Sequence, residues 1–247
     1  MHLALGTALY ASVAFTSYSE PADFGYLVWL GLATWYVYLQ APYWKVPWWK
    51  FASLSETLTG SNVSAIALIV LGLIALQKIE IAFLLVLLSV LVTYLYFFGL
   101  KKSGLPWKEN KLLKVVSLAV VFSILTATIP LVLVKASAAS VLQMTLPRTL
   151  FFLALAMISE QREMPQASKY SRWYLRSVTF VLFISGLLDV MNASEFLLPF
   201  PVFVAYLLTN IATWCTMWLS LRNRKAWFYA LIVDGLLFLP WVVTLAA

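Results

Sequence analysis

The chain has 247 residues, of which 63% are hydrophobic and 11% are charged, and its mean hydropathy is +0.90. This balance excludes a water-soluble globular domain, because such domains are about half apolar and a quarter charged. The net charge of +7 comes from basic residues in short loops between apolar runs, where they meet lipid headgroups and orient membrane helices. We therefore expect an all-α integral membrane protein whose partners are membrane lipids and not nucleic acid.

Apolar runs recur along the whole sequence. A helix needs about 20 apolar residues to cross a hydrocarbon core of about 30 Å. We predict about nine such spans, forming a polytopic helix bundle that makes residues 1–247 a single transmembrane helical domain. The predicted spans are 2–18, 24–40, 63–77, 79–100, 115–134, 141–158, 175–191, 198–221 and 226–246. Eight spans is the alternative, because the break at Gln77-Lys78 between the third and fourth is short.

The distribution of basic residues favours nine spans over eight. With nine spans, 14 of the 17 Lys and Arg residues fall on the side of the N-terminus, while Lys78 and Lys135 fall on the other side and Arg148 lies within a span. By the positive-inside rule, the N-terminus is cytoplasmic and the C-terminus is on the exported side. Merging the third and fourth spans would reverse every later loop and remove this asymmetry. A bacterial-type inner membrane is the expected location.

Two ionisable residues stand out inside predicted spans. Arg148 follows Pro147 in the sixth span, and Asp234 lies in the ninth, at depths of about 15 and 12 Å from the cytoplasmic ends of their helices. Charged groups in a membrane commonly pair with one another. We predict a buried ion pair between Arg148 and Asp234 that locks two helices together, with a substrate-facing charge as the alternative.

Two carboxylates follow the sixth span. Glu160 and Glu163 are three residues apart, so a helix would place them on one face. One or two carboxylates together with substrate phosphates are a common way to hold Mg²⁺. This pair is therefore a candidate metal site, and a solvated helix end with Arg162 between the acids is the alternative.

The sequence resembles the UbiA superfamily of intramembrane prenyltransferases. Residues 146–152 (LPRTLFF) running into 160–163 (EQRE) look like the sixth helix of that family and its second acidic motif, D-x-x-D-x-x-x-D. Glu160 and Glu163 match the first two acids of the motif, and Ala167 stands at the third. Residues 229–237 (YALIVDGLL) resemble the last helix, and 32–40 (LATWYVYLQ) resemble the end of the second helix in a divergent branch.

The first acidic motif of that family is missing. In active members it follows the second helix and, with the second motif, holds Mg²⁺ and the diphosphate of a prenyl donor. Here no Asp or Glu occurs between Thr34 and Ser55, and Glu56 is too far downstream to align. Four basic residues near the predicted cytoplasmic mouth are candidates for holding a diphosphate without metal. They are Lys45, Lys50, Arg162 and Lys169, and the alternative is that they only mark the cytoplasmic loops.

Three classes of function compete on this evidence. The preferred one is a divergent UbiA-like protein without ordinary Mg²⁺-dependent transfer, acting as a membrane subunit or as an isoprenoid- or lipid-binding component, with other membrane subunits as further candidate partners. The alternative is a prenyltransferase that moves an isoprenoid chain onto a lipid-soluble acceptor, with Mg²⁺ as its cofactor. A transporter ranks lowest, because no span shows the chain of acidic residues expected of a proton path.

Overall fold

The computed structural model describes residues 2–18, 20–40, 80–98, 110–160, 172–195, 198–221, 228 and 232–246. Every regular element in these ranges is helical, as the composition predicts. The α-helices are α1 (His2–Thr16), α2 (Phe24–Gln40), α3 (Glu80–Phe98), α4 (Lys111–Ser123), α5 (Ile129–Leu133), α6 (Ala138–Glu160), α7 (Arg172–Ser194), α8 (Phe200–Ser220) and α9 (Leu239–Ala246). A π-helical turn (Ile124–Thr128) joins α4 to α5, and a 3₁₀ helix (Asp234–Phe238) precedes α9.

Four helical rods are long and apolar enough to cross a membrane: Leu112–Leu133, Ala138–Glu160, Trp173–Ser194 and Phe200–Ser220. They coincide with the fifth to eighth predicted spans. Shorter apolar helices lie in the first, fourth and ninth predicted spans. The predicted third span, 63–77, lies outside the described residues. The described structure therefore supports a helical membrane protein with four candidate spans.

Consecutive long helices run antiparallel. At one end of the α6–α7 pair, the Tyr174 hydroxyl donates to the carbonyl of Met157 at 2.9 Å. At the other end, the Asn192 amide donates to the carbonyl of Gln143 at 3.0 Å. Helices α4 and α6 are antiparallel as well, because Lys114 near the start of α4 contacts Glu160 at the end of α6. The contact between Thr179 in the first half of α7 and Trp214 in the second half of α8 fits the same arrangement. The up-and-down arrangement predicted from the sequence is thus present in this part of the bundle.

Helix α1 enters the centre of the bundle. Tyr10 is buried and stacks on Phe151 of α6, with ring centroids 5.6 Å apart, and it also contacts Tyr206 of α8 at 5.9 Å. Nearer its start, α1 approaches the last helical segment so closely that a Cβ at Gly6 would lie 3.0 Å from the Phe238 ring. The first and last described helices therefore pack against each other.

The π-helical turn between α4 and α5 leaves one carbonyl without its usual partner. The Ile129 N–H bonds to Ile124 instead of Leu125, and the residue that would serve Leu125 in the π pattern is Pro130, which has no N–H. The hydroxyl of the buried Tyr26 in α2 donates to the Leu125 carbonyl. A side chain of a neighbouring helix thus satisfies a backbone group that proline leaves open.

Some helices bury polar side chains within an apolar core and expose large apolar side chains. Along α7, Phe180, Phe183 and Leu187 are exposed, at 63%, 64% and 46% of their surface, while Asp189 of the same helix is fully buried. Helix α8 shows the same division. Its buried face carries Thr209, Asn210, Thr213, Thr216 and Ser220, and its exposed face carries Leu208, Ile211, Trp214, Trp218 and Leu219. Apolar residues facing outward and polar residues facing inward are the pattern that a lipid environment favours.

Candidate functional site

A polar centre lies around Arg148 of α6, surrounded by apolar helices. Arg148 is 3% exposed and forms an ion pair with Asp189 of α7, which is fully buried. An unpaired ion at this depth would be strongly unfavourable, and a buried pair is tolerated only where further hydrogen bonds complete its environment. The neighbouring side chains therefore decide what this centre can do.

Residues of α1 and α8 complete the environment of the ion pair. The guanidinium carbon of Arg148 lies 3.4 Å from the centroid of the Tyr206 ring, a cation–π contact. One guanidinium N–H points at the Tyr10 hydroxyl oxygen, with nitrogen and oxygen 3.5 Å apart. On the acidic side, the Asn210 amide donates to the second carboxylate oxygen of Asp189 at 3.4 Å. Side chains from α1, α6, α7 and α8 thus meet at one charge pair.

Proline in α6 explains why α7 supplies polar groups at this level. Pro147 has no N–H, so the carbonyl of Gln143, one turn earlier, lacks its helical partner. The amide of Asn192 donates to that carbonyl at 3.0 Å. The Ser185 hydroxyl donates to the carbonyl of Pro147 itself at 2.9 Å. The opened backbone of α6 and the polar face of α7 therefore match each other.

The contacts of Arg148 join neighbouring helices and leave it no free cationic face. The positive charge of Arg148 is compensated by Asp189 and covered by the Tyr206 ring. An anionic substrate would have to displace a buried carboxylate to reach it. Of the two roles considered for Arg148, the geometry favours the structural one.

The structure gives Arg148 a partner that the sequence analysis did not name. Asp189 is the carboxylate that the described contacts place on Arg148, where the sequence analysis expected Asp234. Asp234 instead begins the 3₁₀ helix before α9. The prediction matched helix depths and assumed that the sixth and ninth spans adjoin, whereas α6 and α7 are consecutive neighbours. The signal for Asp189 was present in the sequence, since it follows Leu187-Leu188 within the seventh span.

Glu160, the first predicted metal ligand, is engaged in a second ion pair. It ends α6, is 7% exposed, and pairs with Lys114 near the start of α4. Glu160 itself is therefore largely buried and paired. Its predicted partner Glu163 and the predicted diphosphate-binding residues lie outside the described residues; the latter are Lys45, Lys50, Arg162 and Lys169.

The described ranges contain no group of three or more His, Cys, Asp or Glu residues that could hold a metal ion. Comparison with known proteins adds no relative: no protein-family model, curated protein or solved structure matches this chain. The features that bear on function are therefore the two ion pairs and the residues that resemble the UbiA motifs.

Proposed function

We propose that this chain is a UbiA-like membrane protein of about nine spans that acts as a membrane subunit or binds isoprenoids or other lipids, without Mg²⁺-dependent prenyl transfer. The observation that carries the proposal is the ion pair between Glu160 and Lys114. Glu160 is one of the two acids that match the second acidic motif of the family. In this chain its charge is compensated by a lysine.

The ion pair opposes metal binding at Glu160. A hard cation such as Mg²⁺ is bound by carboxylate oxygens that face it and the substrate phosphates. The Glu160 side chain is 9% exposed and that of Lys114 is 16% exposed, so the pair is largely removed from solvent. Bringing Mg²⁺ to this carboxylate would require breaking a partly buried pair and leaving Lys114 without this acid. The missing first acidic motif adds to the same argument.

The Arg148 centre supports a scaffold or lipid-binding role. It ties α1, α6, α7 and α8 together through Asp189, Tyr10, Tyr206 and Asn210. A transporter would be expected to use an intramembrane charge that changes partners during its cycle. Here the charge sits in a network of compensating contacts from four helices, which favours a rigid bundle.

The test separates a transferase from a non-catalytic protein. The purified chain is incubated with labelled prenyl diphosphates, Mg²⁺ and a panel of quinone-precursor and lipid acceptors, and products are separated by chromatography. We expect no prenyl transfer and no Mg²⁺-dependent retention of the prenyl diphosphate. Transfer that requires Mg²⁺ would overturn the proposal in favour of the prenyltransferase.

A pair of variants identifies the role of Glu160. If Glu160 serves the ion pair, Glu160→Gln and Lys114→Gln should both lower stability, and the double variant should lose less than the sum of the two. If Glu160 is a metal ligand, Glu160→Gln should abolish Mg²⁺-dependent donor binding while Lys114→Gln preserves it. Thermal unfolding in detergent and donor-binding assays with and without Mg²⁺ measure the two effects.

A further inference from the structure

The outward surface where α7 meets α8 carries a group of aromatic and polar side chains. The indole N–H of Trp214 in α8 donates to the Thr179 hydroxyl of α7 at 3.3 Å. Trp218 lies one turn further along α8 and contacts Trp214 edge-on, with ring centroids 6.0 Å apart. Both tryptophans are exposed, at 40% and 48% of their surface. This surface therefore presents two indole rings outward near the end of α8.

Arg176 lies on α7 one turn before Thr179, the residue that Trp214 contacts. It precedes Thr179 by three residues on α7, so it belongs to the same helix face, toward the end where Trp218 lies. Arg176 is exposed, and within the described ranges its side chain has neither an ion pair nor a hydrogen bond. In the described part of the chain, a cation without a hydrogen bond or ion pair is therefore available toward the Trp218 end of α8.

Apolar side chains continue the same face of α7 away from Arg176. Phe180 and Phe183 follow at four and seven residues, and both are about two-thirds exposed. The surface thus has a cation and tryptophans at one level and bare phenylalanine rings deeper along the helix. A phospholipid has the same order, with a charged headgroup and then acyl chains.

The charge at the two ends of the bundle differs. In sequence, α7 and α8 lead at this end to Lys169 and to Arg222, Arg224 and Lys225. The opposite end carries the exposed acids Glu20, Asp23 and Glu195, with Lys135 as a basic residue. In sequence, the basic residues near this end outnumber the acids Glu160 and Glu163, a composition that favours anionic over zwitterionic headgroups.

We propose that Arg176, Thr179, Trp214 and Trp218 form a binding surface for an anionic phospholipid, whose phosphate meets Arg176 and whose acyl chains lie along Phe180 and Phe183. This inference rests on the membrane location in the proposed function and adds the class of lipid and its place on the protein. Arginine is suited to the site, because its long stem can lie along apolar surface while its head reaches phosphate.

The experiment measures lipid preference of the full chain. Purified protein in detergent is titrated with phosphatidylglycerol or phosphatidylcholine, and retained lipid is counted by native mass spectrometry. We expect tighter binding of phosphatidylglycerol. Arg176→Gln should weaken that binding about fivefold, the effect of one basic residue near a lipid surface. Trp218→Leu should also weaken it, and both variants should fold because both side chains are exposed.

Lys135→Gln is the matched control, because it removes one positive charge from an exposed position at the other end. It should leave phosphatidylglycerol binding unchanged. Three results would each overturn the lipid site. They are equal retention of the two lipids by the wild type, equal losses of phosphatidylglycerol in Arg176→Gln and Lys135→Gln, and binding of inorganic phosphate alone as strong as that of phosphatidylglycerol. None of these results bears on prenyl transfer, so the proposed function would stand or fall by its own assay.

Discussion

At the residue scale, the ion pair between Arg148 and Asp189 is the feature with the largest expected energetic effect. Both side chains are buried, and the pair has further contacts from Tyr10, Tyr206 and Asn210. Removing one member of such a pair leaves the other charge without compensation. Removing both leaves no net charge to bury.

We predict that Arg148→Met and Asp189→Asn each lower the free energy of unfolding by about 3–5 kcal/mol, whereas the double variant loses clearly less than the sum. Unfolding of the purified protein in mixed detergent micelles measures each value. Asp234→Asn is the comparison, because Asp234 was the partner predicted from the sequence. A coupling of Arg148 with Asp234 that exceeds its coupling with Asp189 would contradict the observed pairing.

The sequence locates the buried arginine, and the structure adds Asp189 as a partner. The intramembrane position of Arg148 follows from the apolar residues around it, and the structure confirms that it is buried. Its partner depends on which helices adjoin, and depth along a helix contains no such information. The same limit applies to Glu160, since the spacing to Glu163 suggested a metal site while the contact with Lys114 arises from a helix distant in sequence.

At the scale of the helices, four of the predicted spans match the long helices within a few residues. The hydrogen bonds at helix interruptions were harder to predict from the sequence. Pro130 and Pro147 are visible in the sequence as residues without an N–H, but the donors that serve the open carbonyls come from other helices. Tyr26 and Asn192 could not be assigned to these carbonyls before the packing was known.

We predict that Tyr26→Phe lowers the free energy of unfolding by about 1–3 kcal/mol, because the partly buried Leu125 carbonyl would then lose its hydrogen bond. Tyr18→Phe is the matched control. The Tyr18 hydroxyl is also buried, but it has no hydrogen-bond partner in the described part of the chain. Its removal should leave stability unchanged or slightly higher. Equal losses in the two variants would show that the hydroxyl of Tyr26 is not what stabilises the π-helical turn.

At the scale of the whole molecule, the up-and-down order of α6, α7 and α8 agrees with the predicted alternation of loops across the membrane. The basic residues between the long helices then fall on one side, and Lys135 falls on the other. The number of spans before α3 is what decides the side of the N-terminus, and the predicted third span lies outside the described residues.

Reporter fusions test the nine-span topology. A reporter inserted in the 101–110 loop should report a cytoplasmic location, because the positive-inside rule places the basic loops in the cytoplasm. A reporter fused after Ala247 should report the exported side. A fusion after Lys135 is the control and should report from the exported side. Detection of the 101–110 and Ala247 reporters on the same side would contradict nine spans.

The separation of Arg148 and Asp189 onto consecutive helices also sets an order of events during synthesis. The ribosome completes α6, with its arginine, before it reaches the aspartate of α7. In the bilayer that we propose for it, α6 must therefore enter with an uncompensated charge, at a cost of about 2.5–3.5 kcal/mol that its apolar residues have to offset. Insertion of α7 relieves that cost. Helices α6 and α7 should therefore become stably inserted together, as a helical hairpin.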